Sequence, residues 1–123
     1  ENAEVPDAFK EHVVRSDGQD TTLTTLYDVI GGGAWPRDIV GRVYNNRFVQ
    51  MWDGRDAEIQ ERLEELASDA GESWAKHDIE VASVYMGQSA MSVDTIRPAG
   101  DVLHEICGEA ERILRERFRE LGL

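Results

Sequence analysis

Val81-Ala82-Ser83-Val84-Tyr85, running into Met86-Gly87-Gln88-Ser89-Ala90 and followed from Pro98 by a long apolar-periodic stretch, is the part of the chain whose reading decides the architecture. The β-branched residues and the tyrosine predict a short strand over 81–85. Glycine and small neighbours then predict a loop that lets the backbone approach something closely. Pro98 stands where helices begin, and Val102, Leu103, Ile106, Ala110, Ile113, Leu114, Phe118 and Leu121 recur at helical spacing. A packing helix of about six turns follows from that spacing. Glu109 with Arg112, and Glu111 with Arg115, add pairs on its outer face worth only ~0.2–0.5 kcal/mol each. Cys107, the single cysteine, cannot form an intramolecular disulfide, and among Ile106, Ala110 and Ile113 it reads as a small buried hydrophobe.

Upstream the pattern is mostly helical. Pro6-Asp7 opens a short helix carrying Phe9 and Val13 four apart, and Ser16 to Asp20 is a turn. Thr21 to Ile30, rich in threonine and β-branched residues, predicts an extended segment. Gly31-Gly32-Gly33 breaks regular structure and raises the question of a phosphate loop. That needs a strand before it and a helix after it, whereas Ala34-Trp35-Pro36-Arg37-Asp38 reads as a turn into irregular chain. From about Asp53 to Ala70, Ile59, Leu63, Leu66 and Ala70 share one helical face, with Glu58, Glu61, Glu65 and Asp69 mostly on the other.

The 123 residues carry a net charge of −12, with 25 acidic and 13 basic side chains. Nothing concentrates enough positive charge to neutralise phosphates, which disfavours nucleic acids and anionic membranes. No window approaches the ~18 apolar residues of a membrane span, and the polar start Glu1-Asn2-Ala3-Glu4 is no signal peptide, so a soluble cytoplasmic protein is expected. Lys10 and Lys76 are the only lysines beside eleven arginines. An acid-rich, lysine-poor surface suits a salt-rich cytoplasm, where screening relieves self-repulsion, and points to a halophilic source.

No active site is legible in these residues by themselves. His12, His77 and His104 are scattered without zinc-ligand spacing and read as surface or helix-face residues. No serine stands in a Gly-x-Ser-x-Gly turn, and the clustered acids lack the loop of a calcium site, so neither a catalytic residue nor a metal ligand is assigned. Trp35, Phe48, Trp52 and Trp74 read as core anchors before pocket walls, and Arg42 and Arg47 as partners of nearby acids before anion ligands.

The combination of Trp35-Pro36, Gly41-Arg42-Val43-Tyr44-Asn45-Asn46-Arg47-Phe48 and Trp52-Asp53-Gly54-Arg55 resembles the nitronate monooxygenase family, formerly called 2-nitropropane dioxygenases. Tyr85-Met86-Gly87-Gln88-Ser89-Ala90 resembles its Ala-Gly-Gln segment, and Ile96-Arg97-Pro98-Ala99-Gly100-Asp101-Val102-Leu103 its turn into the terminal barrel helix. Pro6-Asp7-Ala8-Phe9-Lys10 and Thr21-Thr22-Leu23-Thr24 fit as well, so the resemblance covers nearly the whole chain.

The resemblance implies a mostly α chain with a few short strands, forming the carboxy-terminal part of an FMN-binding (β/α)8 TIM barrel. Residues 1–80 would be a helical subdomain covering the substrate, and 81–123 a return strand, the Gly-Gln loop and the terminal barrel helix. The chemistry implied is oxidation of an alkyl nitronate with FMN and O2. Gly87 and Gln88 are the implied flavin-facing residues, with Ser89 and Met86 behind them; Met86, where the family has alanine, would alter the pocket. The family's proton-removing histidine and its FMN-phosphate turn have no counterpart here. A truncated, split or excised chain is therefore expected, inactive alone and partnered by the remaining barrel segment or a second copy.

Two rival readings stand beside it. A flavin-dependent enoyl-acyl-carrier-protein reductase looks like the same fold and shares the Gly-Gln segment. A stand-alone acidic helical module would instead bind a protein partner and no cofactor.

The charge balance yields the first prediction: the chain resists urea or heat better in molar KCl than in dilute buffer. Unfolding indifferent to salt would count against a halophilic origin.

Overall fold

The computed structural model describes residues 4–33, 35–36 and 38–122; the polar start Glu1-Asn2-Ala3 and two residues of the predicted turn, Ala34 and Arg37, lie outside the described residues. The chain divides into two compact units, one of Val5–Asp94 and the other containing Glu4 and the residues from Thr95 onward. In order come α1 (Asp7–Arg15), β1 (Thr21–Thr24), α2 (Leu26–Ile30), β2 (Gly41–Tyr44), α3 (Arg47–Trp52), α4 (Asp56–Glu61), α5 (Leu63–Lys76), a 3₁₀ turn (Gln88–Ser92) and α6 (Ala99–Glu120).

The extended reading of 21–30 holds only as far as Thr24. β1 pairs antiparallel with β2, Thr22 opposite Val43, and the chain then turns into α2. The Thr24 hydroxyl causes the change: it accepts the Leu26 N–H at 2.9 Å and donates to the Asp53 carboxylate. That hydrogen bond to the following backbone favours a turn over continued strand. Leu26, Tyr27 and Ile30 are thereby buried in the larger core with Val43, Phe48, Val49, Trp52, Ile59 and Leu66.

α3 was not legible as a helix from periodicity. Asn46 caps it, its side-chain oxygen accepting the Val49 N–H at 2.9 Å, which satisfies one of the donors a helix start leaves free. The predicted helix over 53–70 forms as two, α4 and α5, broken at Arg62, whose guanidinium lies 4.9 Å from the centre of the Trp52 ring. α5 ends where His77 takes left-handed backbone, φ 59°.

The predicted strand 81–85 is corrected. Only Tyr85 bridges to β2, opposite Val43, while the Tyr44 N–H donates to the Val84 carbonyl at 2.9 Å and the Met86 N–H to the Arg42 carbonyl at 3.2 Å. The carbonyls a longer ladder would need are taken by side chains. Tyr27 Oη donates to the Val81 carbonyl at 2.9 Å, and Asn46 Nδ2 donates to the Ala82 carbonyl at 3.0 Å and the Ile79 carbonyl at 2.9 Å. Burial is the first cause that pushes the Tyr27 hydroxyl up to about 12, with the Asn46 hydrogen bond opposing it, so it stays a neutral donor.

A smaller core gathers Phe9, Ala82, Val84, Met86 and Ala90. In the second unit the helical period of α6 is as read, but none of its residues is buried. Cys107, expected inside, is exposed, as are Leu103, Ile106, Ile113, Leu114, Phe118 and Leu121. Periodicity marks the face that can pack and cannot say what packs on it. No helix among the described residues is long and apolar enough to cross a membrane.

Asn46 is 1% exposed and bonds three segments, so Asn46→Ala removes a cap and strands buried carbonyls. We expect urea unfolding to show a loss of about 2–4 kcal/mol; a loss near zero would mean that water satisfies those groups.

Candidate functional site

The residues singled out at 86–89 fall where the extended segment leaves β2 and enters the 3₁₀ turn. Met86 is turned inward, 7% exposed, among Phe9, Ala82, Val84 and Ala90. Gly87 is half-buried, whereas Gln88 and Ser89 are exposed. Within the described residues neither the Gln88 amide nor the Ser89 hydroxyl has a hydrogen-bond partner, so both are free to bind something else. The Ala90 N–H donates to the Gly87 carbonyl at 3.0 Å, which fixes the turn.

Gly87 is not demanded by its own surroundings. Its backbone is extended, φ −101° and ψ 172°, which any residue adopts. A Cβ there would meet nothing nearer than Ser89 Oγ at 3.6 Å, ordinary contact. Outside its chain neighbours, the space a side chain would take at Gly87 is bounded only by Ser89.

Gly18 was not recognised as part of this neighbourhood. It has φ +77°, and a Cβ on it would stand 2.3 Å from the Gln88 carbonyl oxygen, so the turn after α1 lies directly against the Gln88 backbone. The turn is held by the Ser16 hydroxyl, which accepts the Gly18 N–H at 3.0 Å and donates to the Asp20 carboxylate, and by the Thr21 hydroxyl, which donates to the Gly18 carbonyl at 3.0 Å. A glycine inside a Ser-Asp-Gly turn was the available signal; its partner seventy residues away was not.

Behind the turn His12, read as a surface or helix-face residue, lies on α1 with its side chain largely buried and its ring 4.0 Å from that of Tyr44. His12 Nε2 lies 3.3 Å from the Asp20 carboxylate, close enough for an ion pair but without the alignment of a hydrogen bond. The Tyr44 hydroxyl donates to Glu80 at 3.1 Å; burial first, then the Glu80 charge, raises its pKa.

On the other side of β2 the Tyr85 ring lies over Gly41, whose Cβ would stand 2.7 Å from Tyr85 Cε1. Asp28, Trp35, Ile39, Val40, Gly41 and Tyr85 line an open cavity of about 410 Å³. Phe48 and Trp52 are core anchors, as expected, but Trp35 is 64% exposed. Trp74 makes an edge contact with Phe9 and donates to Ser83 Oγ at 3.0 Å. The ion pairs expected of Arg42 and Arg47 are absent among the described residues: Arg42 donates to Thr21 Oγ1 at 3.2 Å, and no carboxylate pairs with the Arg47 guanidinium. After Gly31–Gly33 the described residues form no helix before β2, so no phosphate cradle is built there.

Gly18→Ala is expected to cost about 1–3 kcal/mol and to shift the amide resonances of Gly87 and Gln88. Gly54→Ala, at φ +78° in open space, serves as control: strain without movement at 87–88. Unmoved resonances in Gly18→Ala would separate this turn from the site.

No family model matches the chain, and neither does any curated protein. Among solved structures it is similar to FabK from Thermotoga maritima, with a TM-score of 0.65 and 24% identity over 91% of this chain and 33% of that one. A point mutant of the same FabK gives a TM-score of 0.58 at 24% identity, covering 91% and 31%. The chain thus spans about a third of the length of these structures, and its mostly helical fold with two short strands matches the carboxy-terminal portion of a FabK-like TIM barrel.

Proposed function

We propose that the chain is the carboxy-terminal part of a flavin-dependent oxidoreductase of the nitronate monooxygenase type. In this reading residues 1–80 cover the substrate, 81–123 return to the barrel, and the remaining barrel segment is its partner. The observation that carries the reading is the free Gln88 amide beside the unhindered Gly87, on a backbone braced by Gly18.

These residues fit FMN. Gly87 admits a flat ring close to the backbone, and the Gln88 amide offers both a donor and an acceptor to its polar edge. Ser89 can add a hydroxyl, and Met86 holds the segment from within the core. FMN, when bound, supplies the electron transfer. The chain contributes the wall, the orientation and the exclusion of water, and no catalytic residue is assigned to it. The likeness to FabK equally supports the rival reading, a flavin-dependent enoyl-acyl-carrier-protein reductase.

Titration of FMN into the 123-residue chain, with and without an amino-terminal barrel fragment of the family, tests the proposal. We expect binding only on complementation, weakened about 2- to 10-fold by Gln88→Ala, the loss of one or two hydrogen bonds. Oxygen uptake on an alkyl nitronate would then favour the monooxygenase, and nicotinamide oxidation on an enoyl thioester the reductase. Failure to bind FMN in either setting would overturn both.

A further inference from the structure

A second concavity lies between α3 and α5, away from Gly87 and Gln88, with a volume of about 330 Å³. Its inner surface is apolar: Phe48, Trp52 and Leu66 are core residues, and Val81 packs beside them. Its rim carries Arg47, Arg62 and Lys76 together with Asp69 and Glu72.

The rim charges are not equivalent. Lys76 pairs with Glu72 at 2.6 Å, and Arg62 with Glu65 at 2.6 Å while lying over the Trp52 ring. Asp69 lies near both Arg62 and Lys76, which already have Glu65 and Glu72 as partners. The nearby Glu80 carboxylate is engaged by the Tyr44 hydroxyl and the Arg47 backbone N–H. Of the three rim cations, Arg47 is the one whose side chain has no carboxylate partner among the described residues.

We infer that this cleft is a binding site for a small organic monoanion with a flat or compact apolar body, the body against Phe48, Trp52, Leu66 and Val81 and the carboxylate on Arg47. The volume lies at the small end of ligand sites. A planar guanidinium accepts a carboxylate through two parallel hydrogen bonds, which an alcohol cannot reproduce. The inference does not depend on the flavin reading, because no residue of 86–89 lines the cleft.

The test is NMR titration of the 123-residue chain with 2-naphthoate and, as the neutral counterpart, 2-naphthalenemethanol. The Trp52 indole resonance and the amides of α3 should shift with naphthoate, which binds at least fivefold tighter than the alcohol. Arg47→Gln should abolish that preference. Arg15→Gln, the same charge change on α1, should retain it. Equal affinity for the two probes, shifts that avoid Trp52, or equal losses in Arg47→Gln and Arg15→Gln would overturn the inference. Arg47 is exposed, so its replacement is not expected to unfold the chain.

Discussion

Asn46 is the constraint on which the larger unit depends. It is almost wholly buried, and each polar atom of its side chain is used: the oxygen caps α3, and the nitrogen reaches the carbonyls of Ile79 and Ala82 and, at 3.1 Å, the Tyr27 hydroxyl. A buried amide left unbonded would cost more than its bonds gain, so all three segments must stand in one arrangement. The helix start, α2 and the chain leading to Gly87 are thus set relative to one another by a single side chain. The apolar core supplies bulk stabilisation without direction, and this network supplies the direction.

From that junction the geometry of the site follows. With the Val81 and Ala82 carbonyls held by Tyr27 and Asn46, the chain resumes an extended course only at Val84 to Met86. Met86 is then drawn inward and Tyr85 left outward, because successive residues of extended chain face opposite sides, and Gln88 is exposed where the chain has entered the 3₁₀ turn. Gly18 closes the arrangement from below by letting two backbones meet where any Cβ would intrude. Rigid backbone with a free amide at its edge is what positions a hydrogen-bonding group for a ligand.

Charge has a different part. Many of the basic residues sit on helix faces in short-range pairs, such as Arg62 with Glu65, Lys76 with Glu72 and Arg112 with Glu116, all exposed and each contributing little to stability, while the acids in excess of the bases carry the net −12. They moderate self-repulsion and govern solubility and salt response, and they do not choose the fold. Arg47, at the edge of an apolar cleft, has no carboxylate partner among the described residues, and neither does Arg42.

The sequence by itself determined the elements whose signal is local. The helix opening at Pro6, the turn at Ser16 to Asp20, the helical face of Ile59 to Ala70 and the long helix after Pro98 all follow from periodicity and capping within a few residues. The resemblance it carries also anticipated the fold, a mostly α chain matching part of a TIM barrel. What only the tertiary structure decided rests on partners far apart in the chain. Thr24 turned the expected strand into α2 through Asp53, Tyr27 and Asn46 reduced the strand at 81–85 to a single bridge, and Gly18 joined the site from seventy residues away. Cys107 and the apolar face of α6 show the same division, since helical spacing says which residues can be covered, and burial requires a partner surface that no local pattern contains.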